Sequence, residues 1–286
     1  MIRSAAAAIL GLSLTHAAAQ SPASQADSLT RAIDEGASPS EPIRLEASAR
    51  LAYFSPAGAI ELRGSRRIPV EFLNADEPRL RPAWRVAAAK GRWGLEASGQ
   101  STRTVGRTPF AFAQTPQAGF RRIPSRNEFQ LDTIDLRLSR TVYEHLFDAD
   151  DAGSAVIAVR LAPRVGLRYV DFRASFEPTQ TPSSGPPAPF LEDSVTLIEP
   201  TVGILGEMTF AKAVTMELGI DLGGRPDIGG ISSSSGNIEY GFRFHLSPNL
   251  DLEAAYRLLI QDLEDEGNLL LDGSTAGLFI GLRFRT

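Results

Sequence analysis

The strongest constraint in this sequence is a period of two. It starts at Ile43 and persists to the end of the chain at Thr286. In IRLEASARLAYF, the residues Ile43, Leu45, Ala47, Ala49, Leu51 and Tyr53 fall on one face, with Arg44, Glu46, Ser48 and Arg50 on the other. Successive side chains of a strand point to opposite faces, so this pattern calls for β-structure with one apolar and one charged side. It recurs over residues 81–88, 93–100, 133–139, 160–169, 198–208, 214–221, 238–245, 250–258 and 278–285. Short connections at Lys90-Gly91, 148–153, Ala211-Lys212 and 247–249 alternate with long ones at 55–80, 102–127, 173–192, 223–236 and 262–275. That rhythm predicts an all-β, up-and-down antiparallel barrel of ten strands over residues 43–286, with both chain ends on the short-turn side. Reading 43–89 as an N-terminal extension gives eight strands instead.

Ahead of the barrel, Arg3, the apolar run Ala5–Leu14 and the triplet Ala17-Ala18-Ala19 read as a cleavable secretory signal peptide over 1–19. The run is well short of the roughly twenty residues that a helix needs to span a bilayer. Residues 20–42, rich in Ser, Ala, Pro and Asp, read as a flexible periplasmic leader. The chain has no cysteine, which excludes disulfides, thiolate metal sites, cysteine nucleophiles and a lipidated N-terminal cysteine. Its net charge of −5 offers no basic field for nucleic acid. No Gly-rich phosphate loop is present, and no cofactor is expected.

A barrel with this alternation has two ways to face. A soluble one lines a ligand cavity with its apolar side; a membrane one turns that side to lipid and packs polar groups within. Nearly every segment is charged on its polar face, with arginine in place of lysine. Ten basic residues (Arg44, Arg50, Arg85, Arg137, Arg160, Arg164, Arg168, Arg243, Arg257, Arg283) stand against nine acidic ones (Glu46, Glu96, Asp135, Glu199, Glu207, Glu217, Asp221, Glu239, Glu253). Arginine forks pair with carboxylates in confined space, and buried charges must be paired. The balance predicts a transmembrane barrel whose lumen is filled by an ion-pair network and conducts little.

The closing TAGLFIGLRFRT resembles the C-terminal insertion signal of Gram-negative outer-membrane barrels, which the barrel assembly machinery reads. Leu278, Ile280, Leu282 and Phe284 match its alternate apolar positions, whereas Thr286 stands where that signal usually has phenylalanine. In pattern, residues 43–286 resemble small outer-membrane barrels of the OmpA/OmpX/OmpW kind. The resemblance implies location in the outer membrane among lipopolysaccharide, with long loops outside that meet an unidentified extracellular ligand. It carries fold and location, not activity; the role expected of such a filled barrel is non-enzymatic, in envelope structure or in surface binding through its long loops.

Several stretches offer chemistry. FHLSPN resembles the His-x-Ser-Asn element of outer-membrane lipid A deacylases, which makes His245, Ser247 and Glu253 an alternative hydrolase triad, though Pro248 interrupts the element. A second alternative is a narrow passage for small apolar solutes, with Gly203, Gly206 and Gly219 marking a bend in the wall. His145 with Glu144 and Asp148 falls short of the three or four convergent ligands of a metal site. An aspartate–histidine protease at the outer rim lacks a histidine there. In QDLEDEGN, Asp262, Glu264, Asp265 and Glu266 read as a solvated loop. The stretch 102–127 carries Arg103, Arg107, Arg121, Arg122 and Arg126 among Phe110, Phe112 and Phe120, a composition suited to gripping lipopolysaccharide or a partner, or to covering the barrel mouth. Tyr53, Trp84, Trp93, Tyr169 and Tyr256 are candidates for interfacial aromatic girdles.

Overall fold

A computed structural model describes residues 42–62, 68–73, 79–115, 119–149, 155–179, 190–265 and 269–286. The signal peptide and all but the last residue of the leader lie outside the described residues. The strands are β1 (Arg44–Leu62), β2 (Ile68–Pro69), β3 (Arg79–Lys90), β4 (Trp93–Thr115), β5 (Gly119–Arg140), β6 (Tyr143–Ala149), β7 (Ala155–Pro178), β8 (Leu191–Phe210), β9 (Val214–Ile228), β10 (Ile231–Ser247), β11 (Leu250–Asp265) and β12 (Leu269–Arg285). Ten long strands form the ring, each antiparallel to its neighbours, and β12 pairs with β1 to close it. The short strands β2 and β6 are accessory: β2 pairs with the top of β1, and β6 continues the line of β5 along β7 past an irregularity at Thr141-Val142. Because β1 and β3 pair along their length within the ring, the eight-stranded alternative is excluded.

The seam explains how a chain ends inside a strand. Backbone partners run from Glu46↔Arg285 to Leu62↔Leu269 without a break. Thr286, the departure from the usual signal, adds one more rung. Its N–H donates to the Leu45 carbonyl at 3.0 Å, and its hydroxyl accepts the Leu45 N–H at 3.1 Å.

Pairing fixes the tilt. Followed from Ala49 through Trp84, Gly99 and Ile134, a row of partners reaches β7 at Tyr169. Followed the other way through Leu282, Leu252, Phe244, Val214 and Phe210, it reaches β7 at Ile157, a stagger of twelve residues. Ten strands with that stagger tilt by about 40° and give a backbone diameter of roughly 20 Å. Each residue then rises about 2.5 Å along the axis, so a 25 Å apolar band takes about ten residues per strand.

Such a band exists on the outer wall. Leu51, Trp84, Leu136, Val165, Val202, Ile220, Ile238, Tyr256 and Ile280 are all exposed, while neighbouring charges such as Arg50, Arg85, Asp135, Arg164, Asp221 and Arg257 turn inward. A continuous apolar belt around a charged interior is a surface built for lipid, and the chain is a transmembrane β-barrel. Arginine placed in this belt, as in Val165→Arg, is expected to cost about 2–4 kcal/mol in urea-induced unfolding from vesicles. An unaffected midpoint would mean that Val165 does not face lipid.

Above the belt the faces exchange chemistry while the register holds. On β7, outward Leu167 and Tyr169 give way to Asp171, Arg173, Ser175 and Glu177; inward Arg164 and Arg168 give way to Val170, Phe172, Ala174 and Phe176. β5 does the same, with Phe129 and Leu131 inside and Arg126, Glu128, Gln130 and Asp132 outside. The inner apolar residues form one core that also takes in Ile60, Leu197, Leu259, Leu263 and Leu271, and it is joined by Ile68 and Val70 from the β1–β3 connection. This corrects the reading of 102–127, 223–236 and 262–275 as loops and trims the other two. β4 and β5 pair from Trp93↔Arg140 to Thr115↔Gly119, β9 and β10 meet at Ile228↔Ile231, and β11 and β12 at Asp265↔Leu269. On β5, β7, β11 and β12 the alternation continues with its polarity reversed, as expected where a strand leaves lipid for water.

Candidate functional site: the ion-filled lumen and its mouth

Inward positions of the belt strands carry the charge. Asp135 on β5 accepts from Arg168 at 2.7 Å and Arg257 at 2.9 Å and forms an ion pair with Arg137 at 3.1 Å. Arg168 is fully buried and also reaches Glu199 at 3.3 Å and Ser235 Oγ at 2.8 Å. Arg164 grips Asp221 with two bonds, at 2.5 and 2.8 Å, and Arg137 adds Glu96 at 2.8 Å. Lower down, Arg85 bridges Glu96 at 2.6 Å and Glu217 at 3.3 Å, and Arg243 bridges Glu207 and Glu217, each at 2.5 Å. Arg50 joins Glu253 at 2.7 Å and Glu239 at 3.1 Å, Arg160 joins Glu207 at 3.1 Å, and Arg283 pairs with Glu46 and lies 3.5 Å from Glu253. Several bonds are chords across the barrel. Arg257 on β11 reaches Gln100 on β4 and Asp135 on β5, and Arg50 on β1 reaches Glu239 on β10. Apart from Arg44, which lies exposed at the mouth, the lumen residues named from sequence thus stand in one connected set. Spacing alone could not supply the neutral members Gln100, Asn237 and Ser235, because Ser, Asn and Gln are common anywhere.

The glycines of the wall serve this packing. A Cβ on Gly219 would lie 2.6 Å from the Arg164 guanidinium, and one on Gly203 would collide with Asp221. Pairing of β8 with β7 and with β9 continues through Gly203, Gly206 and Gly219 with no shift of register. Gly203 and Gly219 make room for side chains inside, Gly206 lies on the outer face beside Leu161, and none interrupts the pairing, which corrects the reading of a bend there.

At the short-turn end the proposed triad is not assembled. A register shift between His245 and Ser247 carries Ser247 out to the rim, where its Oγ accepts the Asn249 N–H at 3.3 Å. Glu253 is committed to Arg50 and Ser48. His245 instead lies with Nδ1 2.8 Å from Asp251 and Nε2 2.9 Å from Thr215 Oγ1, which in turn lies 2.8 Å from Thr209 Oγ1. The two ring nitrogens of His245 thus tie Asp251 to the Thr215–Thr209 pair. Asp251, fully buried, is a tenth inward acid missing from the sequence count of nine. Its alternation with Leu250 and Leu252 was the signal that could have found it.

This chain opens on a cavity of ≈ 420 Å³ at the mouth, whose walls include Arg44, Glu46, Glu144, Arg160, Glu207, Lys212, Thr215, Arg243 and Arg285. Lys212 is carried by the tight β8–β9 turn, where Ala211 and Lys212 both take left-handed backbone angles (φ 45° and 56°) and Ala213 N–H bonds the Phe210 carbonyl at 2.9 Å. Two consecutive non-glycine residues in that region cost on the order of 1 kcal/mol each.

The other candidates separate. His145 sits on the outer face of β6 between Tyr143 and Phe147, with ring centroids 6.2 and 4.4 Å away, while Glu144 turns inward; among the described residues no metal-ligating group converges. Asp262 and Glu264 lie within β11, and Glu266 is outside the described residues. Arg103 and Arg126 project outward above the belt and are matched by acids, Arg103 by Glu128 at 2.7 Å and Arg126 by Glu177 directly across the strand pair. Arg173 is likewise held by Asp171 at 2.8 Å, a bond that raises its pKa above the ordinary guanidinium value. The side chains of Phe110, Phe112, Phe120, Arg121 and Arg122 lie outside the described residues. Trp93 stands at the lower rim, with Arg140 5.3 Å from its ring centroid. Trp84 lies against Gly99, about 15 Å up the axis and so within the belt, not at a girdle.

No protein-family model and no curated protein matches the sequence. Among solved structures, the chain is similar to the outer membrane protease OmpT from Escherichia coli (10% identity, 85% of this chain and 97% of that one, TM-score 0.45). It is also similar to Ail, the attachment invasion locus protein of Yersinia pestis (12% identity, 85% and 99%, TM-score 0.35), and to Neisserial surface protein A (12% identity, 85% and 96%, TM-score 0.32).

Proposed function

We propose that this chain is a non-enzymatic barrel of the Gram-negative outer membrane with a closed lumen, a structural element of the envelope that presents its long-strand end for surface binding. The observation that carries this reading is the chord from Arg257 across to Gln100 and Asp135. In a barrel roughly 20 Å across the backbone, such chords leave no continuous aqueous path. The apolar core above the belt is a second closure of different chemistry. In this reading residues 1–19 direct export and are cleaved, 20–42 form a periplasmic leader, and the assembly machinery reads Leu278, Ile280, Leu282 and Phe284. Lipopolysaccharide surrounds the upper belt, and no cofactor or nucleic acid takes part. Reconstituted into planar bilayers, the protein is expected to pass no steady current. A sustained large-pore conductance would overturn the closed-lumen reading. An unboiled sample is expected to migrate at a position shifted from the boiled one, as folded barrels do.

A further inference from the structure

We infer that the cavity at the short-turn mouth is a binding site for an oxyanion, a carboxylate or phosphate group presented from the periplasm. The inference rests on the orientation and closed lumen proposed above. The ≈ 420 Å³ cavity falls within the size range of small-molecule sites. Seven basic side chains line it against four acidic ones. The remaining partner acids, Glu217, Asp251 and Glu253, do not line the cavity. Among the groups that reach the cavity wall, basic side chains therefore outnumber carboxylates. The Nε atoms of Arg85 and Arg243 are buried with no hydrogen-bond partner, and both side chains belong to the cavity wall and are nine-tenths buried or more. At the rim, Arg160, Arg285 and Lys212 stand accessible, the last on a turn whose backbone is strained at Ala211 and Lys212. Strain of this kind persists where surrounding structure imposes it, and it clusters at binding sites. With the ion network sealing the lumen above, the mouth is reached only from its own side. Planar oxyanions match guanidinium forks in this setting, whereas a cation would face the basic excess of the lining.

The test uses the full-length barrel refolded in nanodiscs of zwitterionic phosphocholine lipid, titrated calorimetrically at low salt with inorganic pyrophosphate and, separately, with citrate. Saturable one-to-one binding is expected. Pyrophosphate alone points to a phosphorylated ligand, citrate alone to a carboxylate one, and both to recognition of the shared charge. Lys212→Gly relieves the left-handed turn while removing a cation. It is expected to raise the unfolding midpoint yet weaken binding by about tenfold, the scale of one charge-assisted hydrogen bond. Absence of saturable binding in protein that shows the heat-dependent gel shift overturns the site, as does equal binding by the Lys212→Gly variant. A sample without that shift fails earlier, at the barrel reading itself.

Discussion

Replacing Arg168 with methionine is expected to lower the unfolding free energy by about 3–5 kcal/mol, the usual consequence of removing one partner of a buried ion pair. Arg168 is fully buried, as is Glu199, and Asp135 is nearly so. Without the guanidinium, Glu199 keeps only Ser233 and Ser235 as donors, and Asp135 keeps Arg137 and Arg257. Methionine fills most of the volume, so the loss reports uncompensated charge and not a cavity. Adding Glu199→Gln removes the stranded negative charge and is expected to restore part of the loss. Urea titrations of the refolded barrel would measure both. A drop under 1 kcal/mol for Arg168→Met, or no recovery in the double variant, would show that the network is hydrated and loosely coupled.

The second large effect is expected outside the membrane. Phe172 is fully buried in the upper core, with its ring 5.1 Å from that of Phe129. Phe172→Ala is expected to cost about 3–5 kcal/mol through lost burial and the cavity left behind. It should also expose the long-strand end to protease while the belt stays protected, because the two halves close by different chemistry. Equal stability of variant and parent would mean that the long-strand end is not a packed core.

The two halves also differed in how far they could be read in advance. Within the belt, a strand such as Ile134–Ser139 carries apolar and charged residues in strict alternation, and both the face and the strand count follow from it. His245 shows where the method stops. Its pairing with Asp251 and Thr215 depends on a register shift that ejects Ser247, and no spacing in FHLSPN announces that shift. Above the belt, the alternation of Val170, Phe172, Ala174 and Phe176 is as regular as below, but the apolar residues have moved to the other parity. A search for one apolar face sees two half-patterns out of phase and scores the join as a break. The Pro, Gly and Ser content of the same stretches then favours loops. The environment changes there while the backbone does not, and the sequence records only their combination.

That join is also a depth mark. On the outer wall, Asp132 and Asp171 face each other one rung above Ile134 and Tyr169. A displacement of about 5 Å along the axis, one rung of two residues, would carry both carboxylates into hydrocarbon or lift apolar side chains into water. The ion network stiffens the wall against adapting. A bilayer thicker or thinner than the belt must therefore bend to meet this protein, at a modest cost for each ångström of mismatch. The molecule floats at one draught and sorts toward membrane that already has it.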